Sequence, residues 1–301
     1  MALNAEWNVV TVDARASAST EEPMGSKEKF WCTNPDDGSE WLFKFARSSN
    51  GETRNEDWAE WLVHHLAELV GVPTALVRPA TCEGRRGVVC KSVLSQNFAE
   101  RLVHGNELLR EADPDYNLKI SRENPGYTVE AVRSALEHVH PPRESSDLEW
   151  MSGFDVWSGY LVLDAWVAGR DRHHENWAVI DRADGRALSP SFDHGNALGF
   201  QVSDSEAAKL VANAPRLERW AERGRSHHFA QKPTLVRLAR EAISACNEHV
   251  GAYWLQRLQE LPSEAIEKTI AVIPGDIMSD PSRRFVLSLL ELNRRRLTDD
   301  D

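Results

Sequence analysis

The fold is decided by one stretch, residues 154–199, which reads FDVWSGYLVLDAWVAGRDRHHENWAVIDRADGRALSPSFDHGNALG. Its bulky apolar run, 154–167, contains few helix breakers and is long enough to predict a buried helix, which Gly169 ends. The elements predicted after this helix are a polar loop at 170–176, a strand at 177–180, a turn at 181–185 and a second strand leading to Asp193-His194-Gly195.

Three polar residues, Asp171, Asn176 and Asp193, are brought to one end of this unit by the predicted helix, loop and hairpin. Phosphoryl transfer needs a carboxylate that orients or deprotonates the attacking hydroxyl, and oxygen ligands that hold Mg²⁺ against nucleotide phosphates. In protein kinases an Asp precedes an Asn ligand by five residues, and a second Asp follows on a later strand before a Gly. The spacing here favours kinase chemistry over the alternative, in which these residues form turns and cap a loop.

The composition is that of an ordinary globular chain, with 301 residues of which 41% are hydrophobic and 27% charged. The formal net charge of −12 argues against a nucleic-acid or anionic-membrane binder. The four cysteines form no C-x-x-C pair, and the sequence shows neither a signal-peptide pattern nor an apolar run of membrane-spanning length. We therefore expect a reduced, soluble, cytoplasmic protein with no nucleic-acid or membrane partner.

Histidine pairs occur at His64-His65, His173-His174 and His227-His228. Zinc ligands follow fitting spacings such as H-E-x-x-H, and that motif is absent from the sequence. The pairs therefore predict no structural zinc site. The second pair lies beside Asp171, so its side chains are expected either to contact phosphate or substrate or to be exposed on the loop.

The N-terminal part predicts a small sheet around a lysine. Two aromatic segments flank an N-P-D-D-G turn and predict a hairpin, with residues 40–45 as its second strand. In this strand the aromatic side chains fall on one face and Lys44 on the other. Burying an unpaired ammonium is costly, and the partners that a kinase supplies are phosphate oxygens and a helix carboxylate. The alternative is a solvated Lys44 on an exposed sheet edge.

Residues 55–70 predict an amphipathic helix that stops at Gly71-Val72-Pro73. Glu56 and Glu60 lie one helical turn apart, and either could face Lys44. A strand lysine paired with a helix glutamate is the ion pair that positions the nucleotide phosphates in kinases. The alternative, a solvated charge on the helix surface, holds for at least one of the two glutamates.

Two further strands, 74–79 and 87–94, complete the predicted N-terminal sheet. The second would contact the adenine through backbone groups near Val89 and Lys91. The rest of the chain predicts mostly helices, identified by their apolar stripes. These are expected at 98–109, 128–139 with Thr128 as N-cap, 235–261, 263–273 and 281–297, with a long loop at 111–127.

Together these elements predict an α+β fold with two lobes. Residues 1–94 form the N-lobe, with a small β-sheet, one helix, a phosphate-covering loop and the nucleotide lysine. Residues 95–301 form a larger, mostly helical C-lobe, with the catalytic loop and the metal-binding Asp.

This set of motifs resembles the C-terminal kinase domain of the HipA-like serine/threonine kinases. The motifs are individually short, but their order and spacing together are specific, and they cover roughly residues 24–200. The matching segments are 25–31 (GSKEKFW), 42–45 (LFKF), Glu60 ahead of Leu66-Ala67 and Gly71, 171–176 (DRHHEN), and Asp193-His194-Gly195.

The resemblance implies a role for each of these residues. Lys44 would hold the phosphates of ATP, with Glu60 as its partner. Asp171 would act as the catalytic base, while Asn176 and Asp193 would bind Mg²⁺. The loop that covers the phosphates would contain Gly25, Ser26, Lys27 and Lys29.

The resemblance also implies transfer of the γ-phosphate to a Ser/Thr hydroxyl of a protein, and an antitoxin-like partner, because many family members are toxins of toxin–antitoxin pairs. The chain departs from the eukaryotic G-x-G-x-x-G loop in having a single glycine, Gly25. Few residues precede Gly25, so the separate N-terminal subdomain of full-length HipA proteins is not expected. Phosphatidylinositol kinases and aminoglycoside phosphotransferases share the fold in outline. The alternatives are therefore a lipid or small-molecule phosphotransferase, or a pseudokinase-like nucleotide-binding module.

Overall fold

The computed structural model describes residues 5–13, 28–34, 36–49, 52–95 and 99–299. Within them the chain forms the predicted α+β fold, with a small sheet and one helix followed by a larger helical part. The predicted loop residues Gly25, Ser26 and Lys27 lie outside the described residues.

The N-terminal sheet has five strands in the spatial order first, sixth, seventh, third, second, and a separate two-stranded hairpin follows the third strand. All neighbours in the five-stranded sheet are antiparallel except the first and sixth strands. The seven strands are β1 (Val10–Val12), β2 (Lys29–Thr33), β3 (Glu40–Phe45), β4 (Ser48–Ser49), β5 (Glu52–Thr53), β6 (Val77–Cys82) and β7 (Arg85–Lys91).

The two faces of this sheet bury different residues. Helix α1 (Glu56–Val70) covers the face that carries Lys44, and it ends, as predicted, at Gly71, whose φ of 76° is left-handed. Its apolar side chains continue into the large core of the helical part. The opposite face holds a smaller apolar cluster, consisting of Phe30, Cys32, Trp41, Phe43, Phe45, Ala80, Cys82 and Val89. The alternation predicted for β3 is thereby confirmed.

The hairpin between β6 and β7 is tighter than predicted. Glu83 and Gly84, with φ of 51° and 76°, form the whole turn, so Arg85 and Arg86 belong to β7. Two consecutive left-handed residues match the twist of the flanking strands, which makes such two-residue turns favourable. Thr74, which was predicted as strand, instead makes an isolated bridge to Ser191.

A second sheet of three antiparallel strands lies in the helical part, formed by β8 (Arg101–His104), β9 (Ala178–Arg182) and β10 (Gly185–Leu188). The prediction of one helix over 98–109 is wrong for its middle, because β8 pairs with β9 and α2 (Gly105–Ala112) begins only afterwards. A Cβ at position 105 would lie 2.1 Å from the Trp177 ring, and Gly105 N donates to Trp177 O at 2.9 Å. Tertiary pairing thus overrides the local helical pattern.

The predicted central helix is present as α4 (Gly153–Val167), after α3 (Val129–Ala135), whose N-cap is Thr128 as predicted. It is buried nearly all round, and Ala168, with φ of 56°, ends it one residue before the predicted Gly169. The helices that surround it are α5 (Asp204–Val211), α6 (Ala214–Glu222), α7 (Leu235–Ser244), α8 (Glu248–Gln259), α9 (Ser263–Ala271) and α10 (Asp280–Thr298).

One expectation for the C-terminal helices was wrong, and two helices had not been predicted. The helix predicted over 235–261 is two helices, because Asn247 caps α8 through its side chain, which accepts from His249 N. Helices α5 and α6 were not predicted, and each begins with a side-chain cap, from Ser203 and Asn213 respectively. In the part of the chain that the structure describes, no helix is long and apolar enough to cross a bilayer.

Candidate functional site

Lys44 has two carboxylate partners from distant parts of the chain. Its Nζ lies 2.8 Å from Glu60 Oε1 of α1 and 3.1 Å from Asp193 Oδ1. The Lys44 side chain is 9% exposed and that of Glu60 is 3% exposed. Although burial opposes it, the negative charges of Asp193 and Glu60 raise the pKa of Lys44 well above its usual value. Lys44 is therefore a fixed, buried cation.

The partners of Glu56 and Glu60 show which of the two glutamates of α1 pairs with Lys44. Glu56, one turn before Glu60, lies 3.2 Å from Arg47 Nε through its Oε1, and its Oε2 accepts from Arg47 N at 3.2 Å. The structure thus brings Glu60, and not Glu56, to Lys44. Cys90 of β7 also faces this pair, with its Sγ 3.6 Å from Glu60 Oε1.

Arg172 fixes the loop between α4 and β9 from the inside. Its Nε and Nη2 each donate to one carboxylate oxygen of Asp164 at 2.8 Å, and its Nη1 donates to Asn176 O at 2.9 Å and Ser191 Oγ at 2.8 Å. Arg172 and Asp164 are both buried. A bidentate guanidinium–carboxylate pair has a fixed geometry, so it ties the end of α4 to the loop and to the segment before Asp193.

Two side chains contact the Asp171 carboxylate, and neither contact was predicted from the sequence. Its Oδ1 lies 3.0 Å from His228 Nε2, and its Oδ2 accepts from Asn196 Nδ2. Although burial opposes it, the hydrogen bond from His228 and the nearby His173 lower the pKa of Asp171. The carboxylate is therefore ionised at physiological pH.

Both ring nitrogens of His228 lie against oxygen atoms. Its Nδ1 lies 2.5 Å from Ser121 O, which can only accept, so Nδ1 carries a proton. Its Nε2 faces the ionised carboxylate of Asp171, which also only accepts. Both ring nitrogens thus face acceptor oxygens, which holds the ring of His228 in place against Asp171.

The neighbouring histidine pair is not a pair of exposed loop residues. His174 is buried, with its Nδ1 2.7 Å from Tyr116 Oη. His173 lies beside the Asp171 site, with its ring centroid 5.2 Å from that of His228. Of the two, only His173 lies where it could contact a ligand near Asp171.

Asn176 and Asp193 lie next to Asp171 in one small cavity. Asn176 Nδ2 donates to Asp171 O at 2.7 Å, which fixes the amide and turns Oδ1 away from that contact. A cavity of about 10 Å³, room for about one water-sized particle, is lined by these residues. An amide oxygen and a carboxylate are hard oxygen ligands, so the donor set fits Mg²⁺ that completes its shell with phosphate oxygens and water.

Asp193 has an uncommon backbone conformation. Its φ of 61° is left-handed, which costs a residue with a side chain about 1–3 kcal/mol. The chain just before it is fixed by two backbone hydrogen bonds, from Ser191 N to Pro73 O at 2.9 Å and from Ala75 N to Ser191 O at 2.8 Å. This strained conformation places the Asp193 carboxylate against Lys44.

The other residues predicted to bind the nucleotide do not contact Lys44, Glu60 or Asp193 through their side chains in any hydrogen bond or ion pair described above. The Val89 side chain packs in the smaller apolar cluster, on the sheet face opposite Lys44. Lys91 ends β7 and is 42% exposed, with its Nζ 3.9 Å from Asp37. Lys29 lies opposite Lys44 in the β2–β3 register. Contact of the β7 backbone with adenine stays a prediction.

The fold is shared with solved protein structures. The Helicobacter pylori proinflammatory kinase CtkA matches with a TM-score of 0.70 and 16% identity, over 97% of this chain and 95% of CtkA. HipA, solved in the Shewanella oneidensis MR-1 toxin–antitoxin complex with HipB and operator DNA, matches with a TM-score of 0.59 and 10% identity. That match spans 92% of this chain and 64% of HipA.

The similarity is visible in structure and not in sequence searches. No protein-family model matches the chain, and no curated protein sequence matches it. The resemblance to HipA-like kinases expected from the short motifs is confirmed by these structures, and at such low identities what they show is the shared fold.

Proposed function

We propose that the chain is an ATP- and Mg²⁺-dependent kinase that transfers the γ-phosphate to a Ser/Thr hydroxyl of a protein. The observation that carries the proposal is the contact of Lys44 with both Glu60 and Asp193, next to Asp171 and Asn176. These residues come from β3, α1 and two loops of the helical part, so their convergence is a property of the fold. The kinase CtkA, with a similar fold, supports the same activity class.

In this proposal Lys44 binds the nucleotide phosphates and Glu60 orients its ammonium. Asn176 and Asp193 hold the metal, and bound Mg²⁺ would neutralise the phosphate charge that develops during transfer. Lys44 is already buried and charged, so it needs no reorganisation to act as a donor.

Asp171 would orient the acceptor hydroxyl and receive its proton. Its lowered pKa makes it a weak base, which suits a loose phosphoryl-transfer transition state in which positioning matters more than early deprotonation. His228 and Asn196 hold the carboxylate through separate oxygens, which fixes its plane.

The acceptor would enter from the side of Asn196. A cavity of about 300 Å³ lies there, lined by Arg170, Asn196, Phe200, Trp220 and Arg223 among others. Within the residues that the structure describes, neither arginine makes an ion pair, so both remain available to an anionic group on the acceptor. A cavity of this volume also lies at the lower end of the range for small-molecule sites. This observation keeps a small-molecule phosphotransferase as the second candidate function.

The first test is thermal stabilisation of the purified chain by ATP, with and without Mg²⁺, followed by transfer of labelled γ-phosphate to proteins of a cell lysate. We expect Mg²⁺-dependent stabilisation and labelled protein bands. Asp171→Asn is the matched control, since it should keep the stabilisation and lose the label. Label in small molecules or lipids alone would favour the second candidate, and stabilisation without transfer would favour a nucleotide-binding module.

An antitoxin-like partner is also part of the proposal. It is supported by the HipA structure, which contains HipB and operator DNA. Co-purification of the full chain with the product of an adjacent gene tests it, and a chain that purifies alone under the same conditions argues against it.

A further inference from the structure

A second group of chemically reactive side chains lies on α1, one turn beyond Glu60. It consists of His64, His65 and Glu68, whose donor atoms all lie within 4.8 Å of one another. Within the residues that the structure describes, no other three His, Cys, Asp or Glu side chains meet this condition. The kinase site uses none of these side chains.

His64 is a buried side chain with an unused nitrogen. Its Nδ1 lies 2.8 Å from Thr74 Oγ1, whereas its Nε2 is buried and has no hydrogen-bond partner. Burial lowers the pKa of His64 to about 4, so the ring is neutral at physiological pH. When Nδ1 donates to Thr74, Nε2 carries a lone pair, and it faces Glu68 Oε1 at 3.8 Å. Buried polar atoms seldom stay without a partner.

His65 and Glu68 complete the group from the solvent side. Glu68 Oε2 lies 2.8 Å from His65 Nδ1, so one carboxylate faces both imidazoles. The His65 ring packs against Trp61 with 4.3 Å between the ring centroids, which limits its rotation. The side chains of His65 and Glu68 are 16% and 34% exposed, so an ion can reach the group from water.

We propose that His64 Nε2, His65 Nδ1 and the Glu68 carboxylate bind one Zn²⁺, with water as the fourth ligand. Two imidazoles and one carboxylate are a zinc donor set, whereas Mg²⁺ takes oxygen ligands. Ligands at about 2.0–2.1 Å from a tetrahedral ion lie roughly 3.3 Å apart, and the distances from Glu68 to the two histidines, 2.8 and 3.8 Å, bracket this value. With Nε2 on the metal, His64 Nδ1 would donate to Thr74 Oγ1, which would fix the ring as outer-shell partners of zinc-bound histidines do.

The proposed zinc site lies close to Lys44 and its partners Glu60 and Asp193. Glu60 and His64 lie one turn apart on α1, and Thr74, bonded to His64, forms a bridge with Ser191, which lies two residues before Asp193. A bound ion would thus stabilise the helix that presents Glu60. Zinc binding should therefore raise the melting temperature even when no nucleotide is present.

The experiment is titration of tag-free, metal-stripped full chain with Zn²⁺ by calorimetry, and with Co²⁺ followed by visible absorption. We expect one ion per chain, the absorption of a tetrahedral cobalt centre, and a Zn²⁺-dependent rise in melting temperature. Glu68→Gln and His65→Gln change partly exposed residues and should abolish all three signals. Thr74→Val should weaken Zn²⁺ binding roughly 10–100-fold.

His249→Gln is the matched control, because His249 is an exposed histidine on another helix and should bind Zn²⁺ like the unchanged chain. His64→Gln tests the buried ligand, with its folding checked by circular dichroism. Absence of stoichiometric binding by the unchanged chain overturns the proposal. Equal Zn²⁺ affinity in Glu68→Gln and the unchanged chain overturns it as well, whatever the chain's kinase activity.

Discussion

Lys44 Nζ lies 3.1 Å from Asp193 Oδ1, although 149 residues separate the two in the chain. The buried ammonium of Lys44 offsets the charge of both the Asp193 and Glu60 carboxylates. A buried ion pair is stabilising only while each charge keeps a partner. The Lys44–Asp193 contact therefore couples the stability of the N-terminal sheet to the residue proposed to bind Mg²⁺.

Lys44→Ala should lose the donor to the phosphates and leave the buried Glu60 and the partly exposed Asp193 without their cation. We expect kcat to fall by roughly 10²–10³, as for loss of one preorganised donor. Glu60→Ala should have a smaller effect in the same direction, because Lys44 keeps Asp193 as a partner. The measurement is turnover against ATP concentration. Glu56→Ala is the matched control, and a larger loss there than in Glu60→Ala would contradict the assignment of the pair.

Asp171→Asn keeps the shape of the side chain and removes the charge that receives the hydroxyl proton. We expect ATP affinity with Mg²⁺ to stay within a few-fold and phosphotransfer to fall by about 10²–10⁴. Turnover and nucleotide affinity measured on the same preparation check this. Turnover at the unchanged rate would show that Asp171 is a turn residue without a catalytic role.

Asp193→Asn should behave differently from Asp171→Asn, because it removes a proposed Mg²⁺ ligand and a partner of Lys44 together. We expect the Mg²⁺-dependent part of ATP binding and the activity to be lost in parallel. Isothermal titration with ATP at several Mg²⁺ concentrations measures the difference. Unchanged Mg²⁺ dependence would place the metal elsewhere.

His228→Gln should change the pH dependence of the reaction. The lowered pKa means that Asp171 stabilises the fold above the ordinary Asp pKa of about 3.9, and that this contribution is lost as the pH falls through the lowered value. Without the hydrogen bond from His228 the pKa of Asp171 rises, so the acid limb of kcat/KM moves to higher pH. His227→Gln, which changes the exposed neighbour, should leave the acid limb in place. An identical shift in both variants would exclude a specific role of His228.

Arg172→Met should unfold more easily, because it leaves the buried Asp164 carboxyl without its partner. We expect a loss of about 3–5 kcal/mol in the free energy of unfolding. The double variant Arg172→Met, Asp164→Leu should lose less than the sum of the two single variants. Denaturant unfolding of all three measures the coupling, and additive losses would show that the pair is not the source of the effect.

The sequence predicted the parts of the site that lie close together in the chain. Asp171 and Asn176 share one loop, and Lys44 is identified by its place in an apolar strand. Helical periodicity could not choose between Glu56 and Glu60, because both lie on one side of the same helix. Only their partners in the folded chain, Arg47 for Glu56 and Lys44 for Glu60, distinguish the two.

Contacts between residues that are far apart in the chain could not be predicted, because no local sequence pattern indicates them. His228 meets Asp171 across 57 residues, and the pair His227-His228 has no motif that indicates this. The strand β8 was mistaken for helix because its pairing with β9, about 80 residues later, is invisible in a local apolar pattern. For the α1 cluster, the spacing of His64, His65 and Glu68 could have been recognised as one helix face.

The two backbone hydrogen bonds between Ser191 and the segment of Pro73 and Ala75 join the sheet to the helical part directly at the start of β6. These bonds fix the start of β6, so we expect the sheet to rotate about this point when it moves against the helical part. β2 lies three strand positions from β6, a lever arm of roughly 14 Å, so a rotation of about 10° displaces β2 by about 2.4 Å. We therefore expect the base of the sheet to stay in place while its far edge moves across the proposed nucleotide site.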